Sequence, residues 1–299
     1  MRNLNVPTGP VDVILDTDTY NEIDDQFALS YLVRSEEKLH VVGFTAAPFF
    51  NENSTSPADG MEKSYQEILH LLDLLHRPDL KEKTFRGSDR YLLDEQTPVP
   101  SEAALFLAET SRAYSAEHPL YIVAIGAITN VASALLMEPT MRETCVVVWL
   151  GGHALSYGAG EFNMMQDIAA ARVVMLSGIP FVQLPCRGVV DTFHTTGPEL
   201  NYWLAGKNPL CDYLVQHTVE AAESYAKGRP WSRVIWDVTT VAWLLNDHDR
   251  FMTSCLIHAP VPEPDLRYAE DPNAPLIRYV THINRDALME DLFTKLTKN

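Results

Sequence analysis

Near its start the chain reads Val13-Ile14-Leu15-Asp16-Thr17-Asp18-Thr19-Tyr20-Asn21-Glu22-Ile23-Asp24-Asp25-Gln26-Phe27-Ala28-Leu29. The first part of this stretch is a short apolar run, typical of a buried strand, and the last part has the apolar spacing of a helix. Four aspartates and one glutamate lie between them, within ten residues. A strand, an acidic loop and a helix in this order are typical of a segment that builds a site.

The aspartates of this stretch need compensation. Asp16, Asp18, Asp24 and Asp25 repel one another and follow a buried strand, so they require hydrogen bonds or a cation. Oxygen ligands favour a hard cation, Ca²⁺ or Mg²⁺. The alternative is that Asp24 and Asp25 only stabilise the helix N-terminus and that the loop is solvated. Four carboxylates together favour the cation site.

Length and composition indicate an ordinary globular protein. The chain has 299 residues, 46% hydrophobic and 21% charged, and no apolar run long enough for a membrane span. One or two domains are expected at this length, and we predict one domain over residues 1–299. Since Met1 to Pro7 contain no hydrophobic signal region, a soluble cytoplasmic protein without a membrane partner is expected.

The net charge and the cysteines exclude several classes of site. A formal charge of −17 argues against a nucleic-acid partner, because phosphates are bound by clustered Lys and Arg, and favours a small neutral or cationic ligand. The four cysteines form no CxxC pair. Buried free thiols are therefore expected, rather than a zinc site or disulfides.

The pattern of apolar segments predicts an α/β fold with a single open, mostly parallel sheet and helices on both faces. Glycines at 126 and 151–152 follow predicted strands, at the carboxyl edge where such folds bind ligands. The predicted strands are centred on Val13–Leu15, His40–Ala47, Leu120–Ile125, Cys145–Leu150, Phe181–Leu184 and Leu276–Thr281. Between Lys81 and Pro100 an irregular segment is predicted.

Four motifs, in order along the chain, together resemble the nucleoside hydrolases, and in particular the inosine-uridine preferring members. They are Leu15-Asp16-Thr17-Asp18 with Asp24-Asp25, Ile125-Gly126-Ala127-Ile128-Thr129-Asn130-Val131-Ala132, Glu161-Phe162-Asn163, and Trp236-Asp237. The resemblance implies a Rossmann-like core and Ca²⁺-dependent hydrolysis of the N-glycosidic bond of a ribonucleoside to ribose and free base. It also implies a nucleoside as the small-molecule partner and a homodimer or homotetramer.

The resemblance assigns the metal and catalytic roles. Asp18 would be the general base for a metal-bound water, and Asp16 would support the site from behind. The Ca²⁺ would be held by the carboxylates of Asp18, Asp25 and Asp237 and by the backbone carbonyl of Ile125. Without the resemblance, Asp237 at the mouth of an apolar helix reads more simply as a helix cap.

The resemblance also assigns the substrate contacts. Asp24 would accept hydrogen bonds from the ribose hydroxyls, and Glu161 and Asn163 would hold the 5′ end and the 3′ side of the sugar. The last two share one face if the segment is extended. An Asn after the second strand should also contact the sugar; Asn51 is the first choice and Asn53 is the other register.

The chain departs from the family pattern in three places. Trp236 stands where many members have a His that helps the base to leave, which is more like the purine-preferring branch, where an aromatic side chain stacks on the base. The loop between Asp18 and Asp24 is two residues longer and could intrude on the sugar pocket. The family also places an Asn in the loop 153–160, where this chain offers only His153 or Tyr157 as a substitute.

Two other functions share parts of this sequence pattern. A haloacid-dehalogenase-like phosphohydrolase also carries Asp-x-Asp after its first strand and uses Mg²⁺, but the acidic helix start and the lack of an evident cationic phosphate clamp disfavour it. A nucleoside- or sugar-binding protein with weak or no catalysis would explain the departures. Metal-dependent binding without ribose release would identify it.

Overall fold

The computed structural model describes residues 4–298, so part of the N-terminal segment discussed above, Met1 to Asn3, lies outside the described residues. The strands are β1 (Val11–Thr17), β2 (Leu39–Ala46), β3 (Thr84–Phe85), β4 (Leu120–Ala124), β5 (Cys145–Leu150), β6 (Phe181–Leu184), β7 (His194–Thr195), β8 (Arg233–Val234), β9 (Met252–His258), β10 (Val261–Pro262), β11 (Tyr268–Ala269) and β12 (Leu276–Ile283). The helices are α1 (Asp24–Val33), α2 (Pro57–Leu74), α3 (Glu102–Ser111), α4 (Thr129–Met137), α5 (Met141–Thr144), α6 (Phe162–Gln166), α7 (Ile168–Leu176), α8 (Gly197–Trp203), α9 (Pro209–Ala226), α10 (Val238–Leu244) and α11 (Arg285–Leu296).

Eight strands form the central sheet, in the order β3-β2-β1-β4-β5-β6-β12-β9. Neighbours pair in parallel except β9, which runs antiparallel to β12 along one edge. Two small ribbons, β7 with β8 and β10 with β11, lie outside it. The predicted open, mostly parallel sheet is confirmed.

Alternating side chains of the strands feed two hydrophobic clusters, one on each face of the sheet. In β1, Val13 and Leu15 belong to one cluster and Ile14 to the other, as the two-residue period of a strand requires. Helices α1, α2, α9, α10 and α11 cover the first face, and α3, α4 and α7 cover the second. Both faces are therefore buried, which explains the almost continuous apolar runs of the central strands.

Local sequence signals set where the long helices begin. Ser56 precedes Pro57, and its hydroxyl accepts a hydrogen bond from the backbone N–H of Asp59. Asn208 precedes Pro209 in the same way and caps α9 through the N–H of Cys211. Both pairs combine a capping oxygen with a proline at a position that needs no N–H.

The carboxyl ends of the parallel strands meet at one edge, and the predicted site residues follow them. Asp18 comes after β1, Asn51 after β2 and Ile125 after β4. A glycine is needed at 126, because a Cβ there would lie 2.9 Å from Oδ1 of Asp18. The fold thus brings distant acidic and amide residues to one place.

The structure corrects several expected elements. The segment 81–100 was predicted to be irregular, but it contributes β3 to the sheet. Strand β9 was not predicted, because its sequence shows no clear apolar alternation. Cys255 lies on β9 and is exposed, whereas Cys145, Cys186 and Cys211 are buried as expected. Among residues 4–298, no helix has the length and apolar character required to cross a membrane.

Candidate functional site

A cavity of about 410 Å³ opens at the carboxyl edge of the sheet. Most of the predicted site residues line it: Asp24, Asp25, Asn51, Ile125, Glu161, Asn163, Trp236 and Asp237. Asp16 and Asp18 are outside this lining and are fully buried. The structure therefore gathers predicted residues from five segments of the chain around one pocket, with two further aspartates outside its lining.

Three buried carboxylates form the centre of the site. Asp24, Asp25 and Asp237 each offer an oxygen, and the three oxygens lie within 4.8 Å of one another. Asp24 and Asp25 open α1, and Asp237 occupies the N-cap position of α10. The Asp237 side chain caps no N–H of α10, and its Oδ1 has no hydrogen-bond partner among residues 4–298. The simple capping explanation of Asp237 is therefore wrong.

Asp18 lies next to this cluster. Both of its carboxylate oxygens are buried and accept no hydrogen bond from the described part of the chain. Burial first, and then the charge of Asp25, raise the pKa of Asp18 well above its usual value. The predicted metal ligands included Asp18 and not Asp24. The three grouped carboxylates instead include Asp24 and not Asp18.

Burial makes the carboxylates of the cluster hard to ionise: it raises the pKa of Asp24, although the charge of Arg233 lowers it. Burial and the charge of Asp24 raise the pKa of Asp25 to about 8, although the Thr17 hydroxyl donates to Asp25 Oδ1 over 2.5 Å. Burial and then Asp24 also raise the pKa of Asp237. Orphaned carboxylate oxygens in a buried cluster are the arrangement that a hard divalent cation satisfies, so these residues fit a metal ion.

Asp16 is held from behind by two side chains. Its Oδ1 accepts hydrogen bonds from Thr45 Oγ1 at 2.6 Å and from Asn130 Nδ2 at 2.8 Å, while Oδ2 has no partner. Burial raises the pKa of Asp16 to about 6. The Asn130 amide also donates to the carbonyl of Ala46 and accepts from Ser88, so it ties the ends of β1, β2 and the 84–88 segment together.

Glu161 and Asn163 have positions that an extended segment would not give them. Glu161 is extended, but α6 begins at Phe162, so the expected alternation fails after one residue. The Glu161 carboxylate accepts from the backbone N–H groups of Gly152, Asn163 and Met164 at 2.9 to 3.0 Å. Gly152 has φ +74°, which favours glycine at this position.

Asn163 orients the carbonyl that the resemblance assigned to the metal. Its Nδ2 donates to the backbone oxygens of Ile125, at 2.9 Å, and of Leu150, at 3.1 Å. A carbonyl oxygen has a second lone pair, so this hydrogen bond leaves Ile125 able to bind a cation. The side chain thus links the ends of β4 and β5 beside the cavity.

The loop between Asp18 and Asp24 forms part of the cavity wall. Asn21 and Glu22 both line it, and Arg233 Nη2 donates to Glu22 Oε2 over 2.5 Å. Asn51 also lines the cavity and donates to Asn21 Oδ1 at 2.5 Å, whereas Asn53 lies outside this lining. Asn51, and not Asn53, therefore lines the cavity, and the longer loop forms part of the cavity wall.

Glu52, Met165 and Arg187 also line the cavity and were not predicted. Their positions depend on how the segments that follow β2, β5 and β6 fold over the sheet edge. For Glu52 and Arg187 the only local signal is charge in a segment that follows a strand, which many solvated loops share.

Aromatic and imidazole groups complete the wall. Trp236 lines the cavity and packs against the core. His153 also lines it, and its Nδ1 accepts from the backbone N–H of Arg187 at 3.2 Å. Burial, together with the charge of Arg187, lowers the pKa of His153, which favours the neutral ring. Tyr157 is 60% exposed and lies outside the lining, so His153 is the better placed of the two expected substitutes.

Known nucleoside hydrolases resemble this chain in sequence and in fold. A pyrimidine-specific ribonucleoside hydrolase, RihA, from Salmonella paratyphi A is 28% identical over 260 residues, which cover 78% of this chain and 79% of the relative. A purine-preferring ribonucleoside hydrolase from Gardnerella vaginalis shares the fold, with a TM-score of 0.78 at 20% identity over 96% of this chain and 98% of that one. A plant nucleoside hydrolase has a TM-score of 0.76 to this structure at 20% identity, over 97% of this chain and 100% of that one.

The family model described as inosine-uridine preferring nucleoside hydrolase matches residues 13–289, nearly the whole chain. This match decides against the phosphohydrolase alternative. The chain belongs to the inosine-uridine preferring nucleoside hydrolase family and is an N-glycosidase of the ribonucleoside hydrolase class.

Proposed function

We propose that the protein hydrolyses the N-glycosidic bond of ribonucleosides in a Ca²⁺-dependent reaction that releases ribose and the free base. One observation carries the proposal: three buried carboxylates, Asp24, Asp25 and Asp237, converge within 4.8 Å at the floor of a nucleoside-sized cavity, next to the unpartnered Asp18. A cavity of about 410 Å³ is within the range of small-molecule pockets.

The proposed cation ligands are the carboxylates of Asp18, Asp25 and Asp237 and the carbonyl oxygen of Ile125. Bound there, Ca²⁺ supplies a lowered water pKa and an attachment point for sugar hydroxyls. Calcium suits these residues because all four donor atoms are oxygens. The donors lie in loops and at helix starts, where the positions of the oxygens can adjust to the flexible coordination of Ca²⁺.

The proposed roles of the remaining residues follow from charge. Asp18 accepts the proton of the attacking water, since its oxygens have no competing hydrogen-bond donor. Asp24 accepts hydrogen bonds from ribose hydroxyls. Cleavage builds positive charge on the sugar, so the carboxylates around it stabilise the transition state more than the ground state.

The sugar and the base are proposed to lie on opposite sides of the cavity. Asn51, Glu161 and Asn163 contact the sugar, and Trp236 stacks on the base. The backbone hydrogen bonds of Glu161 and Asn163 hold their side chains in place, which supports a positioning role at the sugar.

Product analysis with the Asp18→Asn variant tests the proposal. Wild-type protein with Ca²⁺ should convert inosine or uridine to equimolar base and ribose. The variant should lose turnover by roughly 10² to 10⁴-fold, the usual contribution of a general base, and should still bind nucleoside once the Ca²⁺ concentration is raised to compensate for the weaker ligand. Binding without ribose release by the wild type would instead identify the non-catalytic homologue, and unchanged turnover in the variant would remove Asp18 from the mechanism.

Two expectations about organisation extend the proposal. One domain over residues 1–299 is supported by the single eight-stranded sheet and by the helices that cover both of its faces. A homodimer or homotetramer is a prediction from the resemblance. Light scattering of the purified protein would test the second expectation.

A further inference from the structure

Three segments that follow different strands meet at one side-chain oxygen near the cavity. Gln166 is the last residue of α6, and its Oε1 accepts a hydrogen bond from the backbone N–H of Phe50 at 2.7 Å. The same oxygen accepts a hydrogen bond from the hydroxyl of Tyr91. Phe50 follows β2 and Tyr91 follows β3, so Gln166 joins both segments to the segment that follows β5.

Two of these segments carry residues of the site. Phe50 directly precedes Asn51, which lines the cavity. Gln166 ends the short helix that carries Asn163, which also lines the cavity. Gln166 itself lies outside the lining. The hydrogen bond from Phe50 to Gln166 therefore connects two segments that supply the proposed sugar contacts.

The end of α6 is held firmly. Asp167, the next residue, is buried, and its carboxylate accepts hydrogen bonds from the hydroxyl of Thr129 at 2.7 Å and from the backbone N–H of Leu92 at 2.9 Å. Because Leu92 directly follows Tyr91, the segment after β3 is attached to the end of α6 at two successive residues. Gln166 thus offers its oxygen from a fixed position.

The segment after β2 leaves the core just before Asn51. Phe49 is fully buried, whereas the side chain of Phe50 is 54% exposed. The side chain of Asn51 donates to Asn21 Oδ1 and accepts from the backbone N–H of Asn53. These two contacts orient the Asn51 amide among the loops on its own side of the cavity. The N–H of Phe50 is what ties the segment to α6.

The link uses Gln166 as a hydrogen-bond acceptor. Its Nε2 is buried and has no hydrogen-bond partner within residues 4–298. Burial first, and then the charges of Asp18 and Asp167, raise the pKa of Tyr91. The Tyr91 hydroxyl therefore keeps its proton and remains a donor to Gln166 at physiological pH.

We propose that Gln166 is a positioning residue, whose side-chain oxygen fixes Asn51 relative to Asn163 and so sets the spacing of the contacts to the sugar. The inference rests on the proposed function, which places both asparagines at the sugar. It adds a residue that touches no substrate. A contact held in place before the substrate arrives favours the reactive geometry more than one that must first be ordered.

The first arm of the test measures kcat/KM for inosine and uridine. Gln166→Met removes the oxygen at nearly constant size and should lower kcat/KM by roughly three- to tenfold, the net contribution of one hydrogen bond. Tyr91→Phe removes one of the two donors and should lower it by roughly twofold. The matched control is Gln96→Met, at an exposed glutamine in the same segment after β3, which should leave kcat/KM unchanged.

A double-mutant cycle with Asn51→Ala separates positioning from a general loss of structure. If Gln166 acts through Asn51, Gln166→Met should lower kcat/KM by less than about twofold in the Asn51→Ala background. A purely structural role would give losses that multiply. Tyr91→Phe carries the cycle if Gln166→Met folds poorly. The same cycle, measured as inosine affinity by calorimetry in Asp18→Asn protein at raised Ca²⁺, requires no turnover.

The outcomes separate this inference from the proposed function. Losses that multiply, a Gln166→Met variant with wild-type kcat/KM, or an Asn51→Ala variant without effect would overturn the positioning role. Ribose release by the wild type would then leave the proposed function intact. Coupled losses of inosine affinity without ribose release would overturn the proposed function and support the positioning of the sugar. Neither release nor binding of inosine would overturn both.

Discussion

The side-chain amide of Asn130 donates a hydrogen bond to the carboxylate of Asp16 over 2.8 Å, across 114 residues of sequence. The same amide binds the Ala46 carbonyl and accepts from Ser88, and the residue is fully buried. One side chain therefore joins the ends of two neighbouring strands to the aspartate that lies behind the candidate metal cluster. Its loss should weaken the fold and the site together.

Asn130→Ala should lower the free energy of unfolding by about 2–4 kcal/mol, because each buried partner left unsatisfied costs about 1–3 kcal/mol. Urea denaturation at neutral pH measures the change. Asn273→Ala, at an exposed turn residue, is the control and should change stability by less than about 0.5 kcal/mol. Equal effects of the two variants would mean that the Asn130 network contributes nothing special.

Asp237→Asn should weaken Ca²⁺ binding by at least about 10-fold, since even residues that only orient metal ligands cost 10–100-fold when removed. Calorimetric titration of Ca²⁺ into protein stripped of metal with a chelator measures the affinity for Ca²⁺. Asp89→Asn removes the same charge from an exposed residue and should leave the affinity unchanged. If Asp237→Asn binds Ca²⁺ like the wild type, Asp237 is not a ligand.

The metal-free protein should lose stability as the pH rises. The raised pKa values of Asp16, about 6, and Asp25, about 8, lie above the unfolded value of about 4. These groups hold their protons more tightly when folded, so their contribution to stability is full at low pH and is lost as the pH rises through the folded pKa values.

Thermal melting in chelator should therefore show Tm falling between about pH 5 and pH 8. Added Ca²⁺ should reverse the fall, most strongly at the upper end, because the ion binds the ionised carboxylates. A Tm that stays level or rises over this range in chelator would show that the buried carboxylates are compensated by other means.

Trp236→Ala should lower kcat/KM by roughly 5- to 150-fold, the equivalent of the 1–3 kcal/mol that stacking on one base contributes. Trp236→His puts an imidazole at the same place and should retain more activity than Trp236→Ala, because an imidazole can protonate a departing base. Steady-state kinetics on inosine and uridine measure both effects. A Trp236→Ala variant with wild-type kinetics would place the indole in the core alone.

Much of the fold could be predicted because apolar periodicity is a local property. The limits of β5, β6, α7 and α11 follow directly from runs that are apolar or amphipathic and that end at glycine, proline or polar residues. Strand β9 was not predicted because it is an edge strand whose residues are mostly exposed or half-buried. Strand β3 was not predicted because two residues are too few to show a hydrophobic period. These strands exist through pairing with distant neighbours.

The residues of the site could largely be predicted from the sequence, but the distances between them could not. Asp24, Asp25 and Asp237 could be proposed from motifs, but their approach to within 4.8 Å depends on how α1 and α10 pack. That Glu22 and Glu52 line the cavity could not be predicted, because loop conformation decides which charges face a pocket. Asn130 lies in one of the motifs, yet its four hydrogen bonds connect segments that only the folded chain brings together.

The central claim is that this cavity is a metal-dependent N-glycosidase site. Its most direct test is ribose release from a panel of nucleosides in Ca²⁺, after chelation, and after Ca²⁺ is restored. We expect release that chelation abolishes and that added Ca²⁺ recovers. Release that continues unchanged in excess chelator would contradict it.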